Sequence, residues 1–187
     1  IVLFATIAPA GAIGCMAMIV ASFCSSDESV ARRIERYLVV PLVFAITGLI
    51  ASATHLGTPA NALYVITGIG RSPLSNEVAA AVAFLAFGGA YWFLAFRDEV
   101  APVLRRVLAV VVLAAGAAFV AMIAFAYSVS TVPTWSLPTV PIMLCLAALA
   151  SGPFVGSHLS FACGVLRCPV RLLRNAYDQR NVGASAE

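Results

Sequence analysis

The sequence predicts an all-α, polytopic transmembrane helical bundle, and three observations carry that prediction. Apolar residues make up 62% of the chain and charged residues 10%, where a soluble domain is about half apolar and about a quarter charged. The apolar residues gather into five runs long enough to span, since a bilayer core of roughly 30 Å needs about 20 helical residues. No run shows the short, strictly alternating pattern of a membrane β-strand. The runs are Ile1–Cys24, Tyr37–Leu56, Glu77–Phe96, Pro102–Tyr127 and Leu137–Leu166.

Each run has its own signals. Ile1–Cys24 carries Pro9, Gly11 and Gly14, which loosen a helix and let a neighbour approach. It lacks the basic leader of a signal peptide and exceeds the usual apolar signal core. The connection Ser25–Arg36 is charged, and Asp27 and Glu28 are placed to open an amphipathic turn. The second run stops at His55-Leu-Gly57-Thr-Pro59, Gly and Pro being ordinary helix terminators. Ala60–Ile66 is apolar enough to lie along the membrane surface. Ser72-Pro73 or Ser75 then caps the third run. Arg97-Asp-Glu99 is a tight link, so runs three and four are expected as antiparallel neighbours. In the fifth run, Gly152-x-x-x-Gly156 is a close-packing motif. Residues 1–166 form the expected bundle, and 167–187 a basic, partly disordered tail.

All eleven basic residues are arginines. They fall in the first connection, about the third, which Arg97, Arg105 and Arg106 flank, and after the fifth run, with only Arg71 in an even-numbered connection. The positive-inside rule then puts the N-terminus and connections two and four outside, and the tail in the cytoplasm. The net charge of +3 reads as topology and calls for no nucleic acid. Cys15, Cys24, Cys145, Cys163 and Cys168 form no C-x-x-C pair and no ferredoxin spacing, and are expected mainly as small hydrophobes.

The candidate chemistry lies where runs two and three meet the outer face. His55 ends one run, and Glu77, the one acid outside the cytoplasmic regions, begins the next. Both have plainer readings, because a histidine at a helix C-terminus and an acid at an N-terminus complement the helix dipole. A hairpin of the two runs would nonetheless bring them together, with Asn61, Tyr64, Ser75 and Asn76 as hydrogen-bonding neighbours. Tyr127 and Trp135 mark the same edge, where aromatic belts sit. A neutral imidazole can accept a hydroxyl proton, and a carboxylate partly withdrawn from water can relay it. Such a pair suits a quinol, which loses two protons and two electrons. His158 lies about 25 Å deeper at 1.5 Å per residue, so the two histidines are not expected to hold one haem. No metal ligand set is expected in this chain. His158 is expected to pack between helices or at an interface.

Ala51-Ser52, His55-Leu-Gly57-x-Pro59 and Ser75-Asn-Glu77 resemble the membrane anchor subunit of the bacterial dimethyl sulfoxide reductase family. Tyr127, Thr131-Val-Pro133-Thr-Trp135 and Gly152-Pro153 extend the likeness, which runs to about Cys163. The resemblance implies a menaquinol site at the outer face of the bacterial cytoplasmic membrane, with His55 and Glu77 as its histidine and glutamate. It implies a four-cluster iron–sulfur subunit and a molybdopterin catalytic subunit as partners. It also implies eight spanning helices, against five legible here. Two other classes remain open at this point: a proton- or cation-coupled transporter or channel subunit using Glu77, and a purely structural anchor.

Overall fold

The structure, a computed structural model, describes residues 2–25, 27–54, 64–97, 100–127 and 139–162. Among these residues every regular element is helical: α1 Val2–Cys24, α2 Glu28–Arg36, α3 Val39–Ala53, α4 Tyr64–Thr67, α5 Pro73–Leu94, α6 Pro102–Ala126 and α7 Thr139–Ala162. Among the described residues five helices are long and apolar enough to cross a membrane, α2 and α3 counting as one nearly continuous span. The chain is a multi-pass membrane protein. Helices are the solution lipid demands, because every backbone N–H and C=O must find a partner within the protein.

The second span differs from the sequence expectation in a useful way. The helix does not begin at Tyr37: α2 runs ahead of it, and a turn at Tyr37–Leu38 joins it to α3. Asp27 caps α2 by accepting the Ser29 N–H at 2.9 Å. That bond holds the Asp27 carboxyl below its ordinary value. The stability it adds is therefore present above the unfolded carboxylate range, near pH 4, and is lost as pH falls through the lowered value. The third span starts earlier than expected, at Pro73, with Ser72 as the N-cap residue and Pro at the first position. Proline there is preorganised for the helix and surrenders an N–H with no partner to lose. Glu77 consequently sits in the second turn, and no acid occupies the first. The dipole reading of Glu77 loses its basis.

Helix α1 is the hub, packing against α3, α7, α6 and α2. Small residues make this possible. Gly11 lies against the backbone of α3, where an added Cβ would meet the Ala45 nitrogen at 2.8 Å. Gly14 faces the Gly152 carbonyl, and Gly156 faces the Gly14 carbonyl, so the Gly152-x-x-x-Gly156 motif packs as its spacing predicts. Helices α5 and α6 pair antiparallel, as the short link implied. The centre is filled by Phe4, Phe84 and Phe119, with Phe84 and Phe119 stacked at 6.0 Å. Large apolar side chains such as Val103, Val110, Ile142 and Phe154 face outward, the lipid-facing complement of this core. Cys15 is buried, Cys145 half-buried and Cys24 exposed; Cys163, Cys168 and the expected tail lie outside the described residues.

The register between helices fixes what meets at each end. Gly88 packs on Leu42, and the Trp92 indole donates to the Arg36 carbonyl at 2.9 Å. Followed along the antiparallel pair, this brings the last turn of α3 level with Glu77.

Candidate functional site

Among the described residues two polar clusters lie inside the bundle, one at each end. At the arginine-poor end, α5 presents Ser75 and Glu77, both buried, with Glu77 only 2% exposed. They share a face with Ala81, Phe84, Gly88 and Tyr91, which turns the carboxyl toward the bundle interior. Glu77 Oε1 is buried and has no hydrogen-bond partner among the described residues. Leaving a buried acceptor unmatched costs on the order of 1–3 kcal/mol, more for a charged group. Tyr127, half-buried at the end of α6, is close enough to interact electrostatically with Glu77.

Asn76 has a structural task at this end. Its Oδ1 accepts the Gly70 N–H at 2.6 Å. Gly70 has φ +84°, a left-handed conformation that glycine adopts without steric cost. The side chain thus ties the turn after α4 to the first turns of α5, helped by Ser72 N–H donating to the Gly68 carbonyl at 2.9 Å. Of the other expected site residues, Tyr64 is the first residue of α4. His55, Asn61 and Trp135 lie outside the described residues. Helix α3 ends at Ala53, two positions before His55 and at the same end of the bundle as Glu77. His158 is exposed at the other end, its ring 4.2 Å from that of Phe154. Among the described residues no three His, Cys, Asp or Glu side chains gather to hold a metal.

The sequence profile of the family described as "DMSO reductase anchor subunit (DmsC)" matches residues 1–175. The chain belongs to that family. It is 39% identical over 127 residues to an anaerobic dimethyl sulfoxide reductase chain of Escherichia coli K12, covering 67% of this chain and 44% of that protein. It is 33% identical over 143 residues to a second such protein of the same organism, YnfH, covering 76% and 50% respectively. An anaerobic dimethyl sulfoxide reductase chain of Haemophilus influenzae is 32% identical over 103 residues, 55% of this chain and 37% of that one. The chain thus spans about half the length of the curated relatives it matches most fully. No solved structure matches it significantly.

At the arginine-rich end this DmsC-family protein holds a second cluster, which sequence reasoning missed. Glu35 on α2 is 3% exposed. Its Oε1 accepts from the Tyr91 hydroxyl on α5 at 2.6 Å and from Arg105 Nε and Nη2 on α6 at 3.0 and 2.6 Å; Ser22 Oγ on α1 lies 3.2 Å away, sharing its one hydrogen with the Ile19 carbonyl at 2.8 Å. One carboxylate on α2 therefore ties α5 and α6 together and lies beside Ser22 of α1. Arg36 Nε donates to the Ala95 carbonyl at 3.4 Å and Arg32 Nη1 to the Arg97 carbonyl at 3.3 Å. A signal was available in the sequence: Ala31, Ile34, Glu35 and Leu38 recur at helical spacing, placing an acid on the apolar face of α2. All four are buried.

Proposed function

We propose that this chain is a membrane anchor subunit of a DMSO-reductase-type molybdoenzyme complex, and that it oxidises menaquinol at the end of the bundle marked by Glu77. The observation that carries the reading is the buried Glu77 carboxyl oxygen with no partner among the described residues. A quinol hydroxyl is a donor of the kind that oxygen lacks. The last turn of α3, Tyr127 and the turn pinned by Asn76 surround the same end, and the family membership supplies the context.

In this reading the quinol ring enters between helices from the lipid, and its two hydroxyls meet proton acceptors. His55 takes the first proton through its neutral imidazole. Glu77 accepts and relays a proton toward the aqueous phase. The quinone leaves after losing two protons and two electrons, and the electrons pass to an iron–sulfur cluster of the partner electron-transfer subunit. A molybdopterin subunit completes the complex, which chooses the terminal acceptor. The arginine-rich end is cytoplasmic and the Glu77 end faces outward across the bacterial cytoplasmic membrane, as the positive-inside rule directs.

Membranes carrying the assembled complex with His55→Ala or Glu77→Gln test this. General acid–base groups contribute about 10²–10⁴-fold, so quinol-dependent turnover should fall at least tenfold while the complex still assembles. Wild-type turnover in both variants would remove the proton-accepting role. Failure of an intact complex to bind a quinol analogue would leave a purely structural anchor.

A further inference from the structure

The Glu35 cluster does not exhaust the polar surface at the arginine-rich end. Beside it, between the end of α1 and the start of α6, lies a cavity of about 240 Å³. Phe23, Ser25, Glu28, Pro102, Arg105 and Arg106 are among the residues that line it. Arg105 commits Nε and Nη2 to Glu35, and its guanidinium sits over the Phe23 ring at 5.7 Å. A guanidinium carries five N–H donors in a planar fork, so donors remain on the edge turned from Glu35. Arg106, next along α6, is exposed and forms no ion pair with the described residues. Among the described residues the one acid lining the cavity, Glu28, is engaged by Arg32 at 3.1 Å.

The depth of the cavity narrows what can enter it. It lies where one spanning helix ends at Cys24 and another begins at Pro102, the level of lipid headgroups. Apolar surface adjoins it on the membrane side: Phe23 is 45% exposed, and Val110, one turn deeper than Arg106 on α6, is 63% exposed. An arginine pair above an outward apolar face matches an amphiphile with an anionic head and hydrocarbon chains. Arginine suits phosphate oxygens in particular, because its planar fork can donate twice to one group. The positive end of the α6 dipole adds to the attraction.

We propose that this cavity binds the phosphate of an anionic phospholipid, with Arg106 and the free edge of Arg105 as donors and Phe23 and Val110 against the acyl chains. The site is separate from the Glu77 end and independent of the quinol reading. The purified complex in nanodiscs of phosphatidylcholine with phosphatidylglycerol provides the test, with retained phosphatidylglycerol counted by native mass spectrometry. Arg106→Gln should weaken retention about fivefold, the effect of one basic residue near an anionic lipid surface. Arg106→Lys, which keeps the charge, should recover part of that loss. Arg33→Gln, an exposed arginine at the same end that does not line the cavity, should leave retention unchanged. Equal losses from Arg106→Gln and Arg33→Gln, or none from either, would overturn the site. Displacement of the lipid by millimolar inorganic phosphate, with no preference for phosphatidylglycerol over phosphatidylcholine, would overturn the lipid as its occupant.

Discussion

Replacing Glu35 by glutamine keeps the side-chain volume and removes the charge that the Tyr91 hydroxyl and the Arg105 guanidinium share. Glutamine leaves one carbonyl oxygen for Tyr91, Ser22 and Arg105, and its amide places two N–H groups against an arginine. Breaking a buried ion pair from one side costs about 3–5 kcal/mol when the stranded charge cannot reach water. Arg105 retains 24% side-chain exposure, and cavities of about 220 and 240 Å³ flank it, so water can relieve part of the penalty. The lower end, about 3 kcal/mol, is therefore expected. For a chain of this length each kcal/mol shifts Tm by about 2–4 °C, giving a fall of roughly 6–12 °C. The assay is thermal unfolding in mild detergent, completed as a cycle with Arg105→Gln and the double variant. A coupling of at least ~1 kcal/mol should appear, since contacting residues in one network are not additive. A Glu35→Gln shift within about 1–2 °C, the size of an exposed ion pair, or strict additivity in the cycle, would refute the tie between Glu35 and Arg105.

Three further outcomes follow from named contacts. Gly152→Ala drives a Cβ into Ile13 at the α1–α7 crossing, so a loss of about 1–3 kcal/mol is expected in unfolding; an unaffected variant would mean the helices do not meet there. Asn76→Ala removes the acceptor of the Gly70 N–H and should cost about 1 kcal/mol, seen as faster hydrogen exchange around residues 68–72 with the spanning helices unchanged. Glu77→Leu should separate stability from function, because it replaces a buried carboxyl, one oxygen of which has no partner among the described residues, with an apolar group. A gain of up to about 1–2 kcal/mol with loss of quinol-dependent turnover is expected, and a less stable variant would show that the carboxyl is satisfied in the folded chain.

The spans were legible because lipid imposes one rule, continuous apolar helix, and composition reports it directly. Helix ends were less so. Pro73 reads from sequence as either a loop residue or a first helical position, and the structure uses it as the latter, moving Glu77 one turn inward. The α1–α7 crossing was visible in Gly152 and Gly156, because small residues at that spacing have few other uses in a membrane helix. Glu35 stayed hidden for a different reason. It sits in a run of charges that topology already explained, and its partner Arg105 is 70 positions away, a pairing no local pattern encodes. For the Glu77 end, the sequence supplied the residue types and the expectation that two spans meet. The structure adds the burial of Glu77 and the use of Asn76 as a turn anchor. The latter was invisible because no local pattern ties an asparagine to a glycine six positions earlier.

The most direct measurement is equilibrium binding of a fluorescent quinol analogue to the assembled complex, wild type against Glu77→Gln, in the same membranes. Affinity at least tenfold weaker in the variant, with the complex intact, is the outcome expected if the interior carboxyl receives the quinol hydroxyl. Equal affinity in the two proteins would contradict it and leave that carboxyl without a part in substrate binding.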